Sequence, residues 1–328
     1  FMPASVTKVM SVYTAFDLID RGKLSLDRVV TIDKEVGDEW GGKGSTLFLK
    51  SGDQLTVGGL LLGVTTVSAN DGAVALAKAG AGSIANWVAL MNQNAARLGM
   101  RDSHFGLPNG YMDEGRTYTS AHDLIRLADA LTTRFPGLYK RFFGHHGMTF
   151  HGITQNNHDP ITGIVPGADG IKTGFTEQAG YTFLGSAERG GRRLAMAIAG
   201  APTPAIRNQS ARQLMEWGFD VFSSRELLAS RTAVGSALVQ DGSATSVPLL
   251  TEGAVFGNLP LGNDSGAKLS LRYRGPLEPP IRKGDEIATL RVTIPGQEPH
   301  DVPLVAGARV TKANAWQRLR NGLEGLIG

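Results

Sequence analysis

The hydrophobic period changes twice along these 328 residues, and the order of the changes limits the folds open to the chain. Val6, Val9, Met10, Tyr13, Phe16 and Ile19 recur at helical spacing, with Pro3 and Ser5 where a helix starts and Gly22 where one stops. Residues 22–52 read mostly as loop, including the run Trp40-Gly41-Gly42-Lys43-Gly44, and so long a connection more often carries function than idle chain. Gln54 to Gly63 predicts a buried helix, followed by alanine-rich helices near 70–81 and 83–98. Ser120 with Asp123 resembles a capping box and opens a helix holding Leu124, Leu127, Ala128 and Leu131. From Gly170 the period becomes extended. Tyr181 to Ser186 and Leu194 to Ala199 predict two strands joined at Glu188-Arg189-Gly190-Gly191, the second buried on both faces. A helix from Ile206 to Phe219 closes this part.

After Arg225 the texture changes to short alternating stretches (Ala267 to Arg272, Glu286 to Ile294, Asp301 to Leu304) separated by Gly, Pro, Asn and Asp. The expected organisation is α+β over 1–225, a sheet with helices packed on it, then a small β-sandwich-like domain over 226–311. In the segment 312–328, Trp316, Leu319, Leu323, Leu326 and Ile327 fall at helical spacing with Arg318 and Arg320 between them. Two readings stay open there, an amphipathic segment on an anionic membrane surface and a helix docked on its own domain.

Composition excludes several functions. There is no cysteine, so disulfides, thiolate catalysis and cysteine-ligated metals are ruled out. A net charge of +3 and a pI of about 9.1, without dense Lys/Arg runs, give no nucleic-acid signature. His145, His146, His151 and His158 cluster in sequence, but their spacing fits no tight zinc site, and they read as a hairpin region near a cleft.

Three motifs carry chemistry. In Ser5-Val6-Thr7-Lys8 a serine and a lysine stand one helical turn apart, the S-x-x-K pattern of serine acyl-transfer enzymes. Ser68-Ala69-Asn70 precedes a helix; a helix cap accounts for one of its two polar groups. Lys172-Thr173-Gly174 falls where a strand begins, and its glycine lets another group approach the backbone closely. A serine hydroxyl needs a base, and Lys8 serves only as the neutral amine, far from its reference pKa of about 10.4. Enclosure and a second positive charge would both depress that pKa, so two lysines near one serine make chemical sense.

On these residues the chain resembles the low-molecular-mass penicillin-binding proteins of the D-alanyl-D-alanine carboxypeptidase type (penicillin-binding protein 5 type, serine peptidase S11-like). The matching segments are Pro3 to Lys8, Ser68-Ala69-Asn70-Asp71, and Asp169 to Thr176 with Ala179-Gly180-Tyr181. Phe105 to Gly110 and Trp217-Gly218-Phe219 add weaker support. Ala69 and Gly72 stand where the family more often has glycine and alanine.

The resemblance implies a β-lactamase/penicillin-binding transpeptidase-like catalytic domain. Strands that the family carries ahead of the serine motif are expected to lie outside these 328 residues. It implies Ser5 as nucleophile, Lys8 as base, Ser68 as proton relay, and Asn70 and Lys172 as further catalytic residues. The backbone amides of Ser5 and Phe175 would form the oxyanion hole; Thr173, Gly174, Phe175 and Arg207 would bind substrate. It implies no cofactor and no metal. The expected partners are peptidoglycan stem peptides ending in D-Ala-D-Ala and β-lactam antibiotics. The expected location is periplasmic or extracytoplasmic, with peripheral membrane contact through the tail. D,D-endopeptidase activity, β-lactamase activity and a non-catalytic wall-peptide binder stay open beside this reading.

Overall fold

The computed structural model describes residues 1–260 and 266–318, and the chain divides into two compact units, Phe1–Phe219 and Asp220–Gly328. In the first unit the elements run α1 (Lys8–Asp20), β1 (Val29–Thr31), α2 (Lys34–Trp40), β2 (Gln54–Thr56), α3 (Val57–Thr66), α4 (Asn70–Ala81), α5 (Ile84–Arg97), α6 (Ala121–Arg134) and α7 (Pro136–Phe142). The hairpin strands β3 (Gly147–Phe150) and β4 (Ile153–Asn156) follow. Then come β5 (Ala168–Thr176), β6 (Gly180–Arg189), β7 (Arg192–Ala201) and α8 (Pro204–Val221).

Helix α1 is the centre of this unit. Every residue from Lys8 to Leu18 is buried, and the helix packs against α3, α4, α5, α6 and β5. Apolar residues dominate its faces, and its polar side chains Lys8, Ser11, Thr14 and Asp17 are buried with partners, so the helix belongs in the interior. Tyr13 and Phe16 meet Phe135 edge-on, at ring distances of 5.3 and 5.9 Å. The antiparallel sheet runs β5-β6-β7, and its β6–β7 turn uses Gly190 and Gly191 at φ 57° and 76°. The second unit is all β: β8 (Phe222–Leu228), β9 (Ala233–Leu238), β10 (Ser246–Thr251), β11 (Val255–Pro260), β12 (Lys268–Arg272), β13 (Glu286–Thr293) and β14 (His300–Ala306). A five-stranded sheet ordered β12-β13-β14-β10-β9 and the pair β11-β8 enclose their own apolar cluster around Val247, Leu249, Val292 and Leu304.

Three expectations need correction, and the cap alternative for Ser68 falls away. Gln54 to Gly63 is not one helix: residues 54–56 pair with β1, Thr56 caps the chain through the Gly59 N–H at 3.0 Å, and the helix starts at Val57. The 22–52 stretch holds a helix, α2, capped by Asp33 on the Val36 N–H at 2.9 Å. Gly37 disguises that helix, yet a Cβ there would sit 2.6 Å from Ser51 N. Strand β7 is only half-buried, because it lies at the edge of the described sheet and keeps just Met196 and Ala201 buried. Ser68 is not a helix cap: Ala69 occupies the cap position of α4, with no side-chain cap bond. The expectation for the tail falls largely on residues 319–328, outside the described residues; Trp316 is exposed.

Candidate active site

Ser5 lies in the 3-10 turn Ala4–Thr7 that feeds into α1. Ala4 has φ 49°, in the left-handed region that a side chain enters only at a cost. Two glycines let backbone close on this turn from opposite directions. A Cβ on Gly174 of β5 would meet Thr182 Oγ1, Pro3 O at 2.7 Å and Ser5 N at 3.0 Å. A Cβ on Gly110, at φ 68°, would strike the Ala4 carbonyl. Thr182 Oγ1 donates to Pro3 O at 3.0 Å and ties β6 to the same turn. Among the described residues no backbone carbonyl accepts the Ser5 N–H.

Lys8 is fully buried. Its Nζ lies 2.8 Å from Ser5 Oγ, 2.7 Å from Asn70 Oδ1 and 2.7 Å from the Asn109 carbonyl. Asn70 is oriented without ambiguity, because its Nδ2 donates to the Lys43 carbonyl at 2.7 Å and leaves Oδ1 for Lys8. Burial and the charge of Lys172 hold the Lys8 pKa well below the usual lysine value, against a smaller opposing pull from Asp71. The three partners suit a neutral amine. Asn70 Oδ1 and Asn109 O can only accept, so they take both amine protons, and the lone pair is left for the Ser5 hydroxyl.

Ser68 carries φ 66°, and its hydroxyl has no hydrogen-bond partner among the described residues. Freed from capping, it lines the same cleft as Ser5 and Asn70. The cleft has a volume of about 690 Å³. From the strand side Thr173, Gly174 and Phe175 line it, with Phe175 stacked on Tyr181 at 4.2 Å between ring centres. Lys172 lies behind that wall, 3% exposed, donating to its own Thr173 carbonyl at 3.0 Å. Burial, with a contribution from Arg207 and against the pull of Asp159, lowers the Lys172 pKa to about 7.

Arg207 is not the solvated residue that a helix start would suggest. It is 6% exposed, lines the cleft, and bonds Asn208 Oδ1 and the His158 carbonyl. No carboxylate among the described residues pairs with it. Asp159 acts on it only from beyond contact, and a buried guanidinium without a contact ion pair at a cleft suits an anionic ligand.

The fold thus brings Ser5, Lys8, Ser68, Asn70 and Lys172 to one end of α1, with Thr173, Gly174, Phe175 and Arg207 along the cleft. The motifs did not reveal Ser45, Tyr111 and His158 in the lining, or the Lys43 and Asn109 carbonyls. The glycine-rich Trp40–Gly44 run and the Phe105–Gly110 segment lie beside the first two and hold the carbonyls, and the histidine cluster pointed to His158. The described residues bring no group of three His, Asp or Glu side chains together for a metal; of the clustered histidines, only His158 faces the cleft.

The profile "D-alanyl-D-alanine carboxypeptidase" matches residues 1–203, and "Penicillin-binding protein 5, C-terminal domain" matches residues 222–312. The carboxypeptidase DacF of Bacillus subtilis is 30% identical over 317 residues, covering 95% of this chain and 80% of the relative. DacA of Escherichia coli is 31% identical over 325 residues, covering 97% and 79%. The crystal structure of penicillin-binding protein 5 from Haemophilus influenzae superposes with a TM-score of 0.81 at 30% identity, covering 95% of this chain and 91% of that one. Penicillin-binding protein D2 of Listeria monocytogenes, solved in its ampicillin-bound form, gives a TM-score of 0.59 at 30% identity, covering 66% and 87%. The profile over residues 1–203 and relatives of 30% identity or more across nearly the whole chain show that the chain belongs to the D-alanyl-D-alanine carboxypeptidase family of serine peptidases.

Proposed function

We propose that Ser5 is the nucleophile with which this serine-type D-alanyl-D-alanine carboxypeptidase removes the terminal D-alanine from peptidoglycan stem peptides, and that Lys8 is its base. The observation that carries the reading is the 2.8 Å contact between Ser5 Oγ and a fully buried Lys8 amine whose two other partners are acceptors only. Lys8 takes the hydroxyl proton as Ser5 Oγ attacks the penultimate carbonyl. The Ser5 and Phe175 amides hold the oxyanion. Lys8 returns the proton through Ser68 to the departing D-alanine nitrogen, the C–N bond breaks, and an ester to Ser5 remains. Asn70 fixes Lys8 and binds the substrate amide. Water then attacks the ester, giving one proton back to Ser5 Oγ by way of Lys8 and releasing the shortened peptide. Lys172, Thr173 and Arg207 bind the free terminal carboxylate, the two cations supplying charge and Thr173 a hydroxyl donor.

β-Lactams present the same carbonyl and acylate Ser5. The enzyme acts in the periplasmic or extracytoplasmic space. Attachment to the outer face of the cytoplasmic membrane through 312–328 belongs to the same proposal; it is supported by the spacing of apolar residues there and by Trp316, 79% exposed. Labelled penicillin followed by peptide mass spectrometry tests the reading. The adduct is expected on Ser5 and absent from K8A. An adduct on another side chain, or normal acylation of K8A, overturns it.

A further inference from the structure

The loop from Lys43 to Leu49 serves the site through its backbone. The Lys43 carbonyl accepts Asn70 Nδ2 at 2.7 Å, and the Ser45 carbonyl accepts the Asn70 backbone N–H at 2.7 Å. Both ends of Asn70 are therefore set by one loop, and that loop is set by Asp71. The Asp71 carboxylate is 0% exposed. It accepts the Leu47 N–H at 3.0 and 3.1 Å, the Leu49 N–H at 3.0 Å and the Gly72 N–H at 2.8 Å. Burial raises the Asp71 pKa, but its oxygens meet only N–H donors, which pull it back toward the anion and give a carboxylic proton no acceptor. No cationic side chain among the described residues pairs with it. A buried, unpaired charge is costly, and a loop alone could be tied by a neutral side chain.

We infer that Asp71 is a positioning residue of the active site: through the Lys43–Leu49 loop it aims the Asn70 amide at Lys8, and its buried charge opposes that of Lys172 at the Lys8 amine. The inference rests on Lys8 being the base. The charged groups acting on Lys8 are Lys172 from β5, which disfavours the ammonium, and Asp71 from α4, which favours it. Asparagine at this position is a poor substitute, since its NH2 would face one of the loop N–H groups donor to donor. The loop side can be disturbed separately: a Cβ on Gly44, at φ 73°, would sit 2.7 Å from Asn70 Nδ2.

The test is the pH profile of kcat/KM for a D-Ala-D-Ala peptide in wild type, D71N, D71E and G44A. D71N is expected to lose on the order of tenfold to a hundredfold at its optimum through misplacement of Asn70. Its rising limb should also move to lower pH, because removing the negative neighbour makes the Lys8 ammonium less favourable. D71E keeps the charge and should keep the limb in place; G44A should lose rate with the limb unmoved. A limb present in wild type and unmoved in folded D71N overturns the inference about Asp71 alone. If D71N does not fold, a wild-type rate in G44A overturns it instead. If the wild type has no rising limb, the assignment of Lys8 as base falls, and the inference falls with it.

Discussion

Gly174→Ala tests how the oxyanion hole is built. The added methyl would lie 2.7 Å from Pro3 O and 3.0 Å from Ser5 N, while ordinary contact begins near 3.4 Å. The Thr182 hydroxyl is nearer still and can rotate aside, but Pro3 O and Ser5 N are backbone and cannot, so strand β5 must retreat from the Ser5 turn by roughly 0.7 Å. Phe175 follows Gly174 directly, so its amide retreats too. Oxyanion donors act at about 2.7–3.1 Å, and a shift of this size takes one of the two out of range. Losing one such donor costs about 3 kcal/mol, or on the order of a hundredfold in kcat. The stability cost is that of overpacking, about 1–3 kcal/mol, which leaves the protein folded. The assays are D-alanine release and the rate of acylation by labelled penicillin, with circular dichroism as the check on folding. Both rates should drop together, since one hole serves both substrates. A folded G174A variant with near-normal rates would refute the claim that contact between β5 and the Ser5 turn sets the hole.

The pH dependence has a defined sign. Lys8 works only when neutral, so kcat/KM rises as pH climbs through its depressed pKa; Lys172 binds carboxylate only when charged, so kcat/KM declines as pH passes about 7. In kcat the declining limb should lie at higher pH, because a bound carboxylate favours the Lys172 ammonium, and K172R should remove that limb from kcat/KM; coincident limbs in both parameters would contradict the assignment. Arg207→Ala should raise KM for peptides with a free terminus by roughly tenfold or more and affect a terminally amidated peptide far less, and equal damage to both would remove Arg207 from carboxylate binding.

The parts of the site legible in the sequence are those whose chemistry lives in side chains. Ser5, Lys8, Ser68, Asn70 and Lys172 need particular atoms, and only particular residue types supply them. The Lys43, Ser45 and Asn109 carbonyls do comparable positioning, but every residue type carries a carbonyl, so no letter of the sequence records their use. The fold shows the same division. Helix α1 announces itself through apolar residues at helical spacing, while α2 is seven residues long and contains a glycine demanded by Ser51 of a neighbouring segment. The start of α3 was hidden because β2 enters it without a polar break; the deciding signal was the Thr56 hydroxyl, a single cap atom.

Rooting the nucleophile in α1 has a consequence for resistance. Lys8 opens the helix that five other elements pack around and Ser5 lies in the turn leading into it, so neither can be relocated without dismantling the interior. Under antibiotic selection, the freedom to vary lies instead with lining residues that water already reaches, such as Met112 and Phe175, 55% and 50% exposed. Escape variants of this enzyme should therefore alter the shape of the entrance and leave its reacting atoms in place.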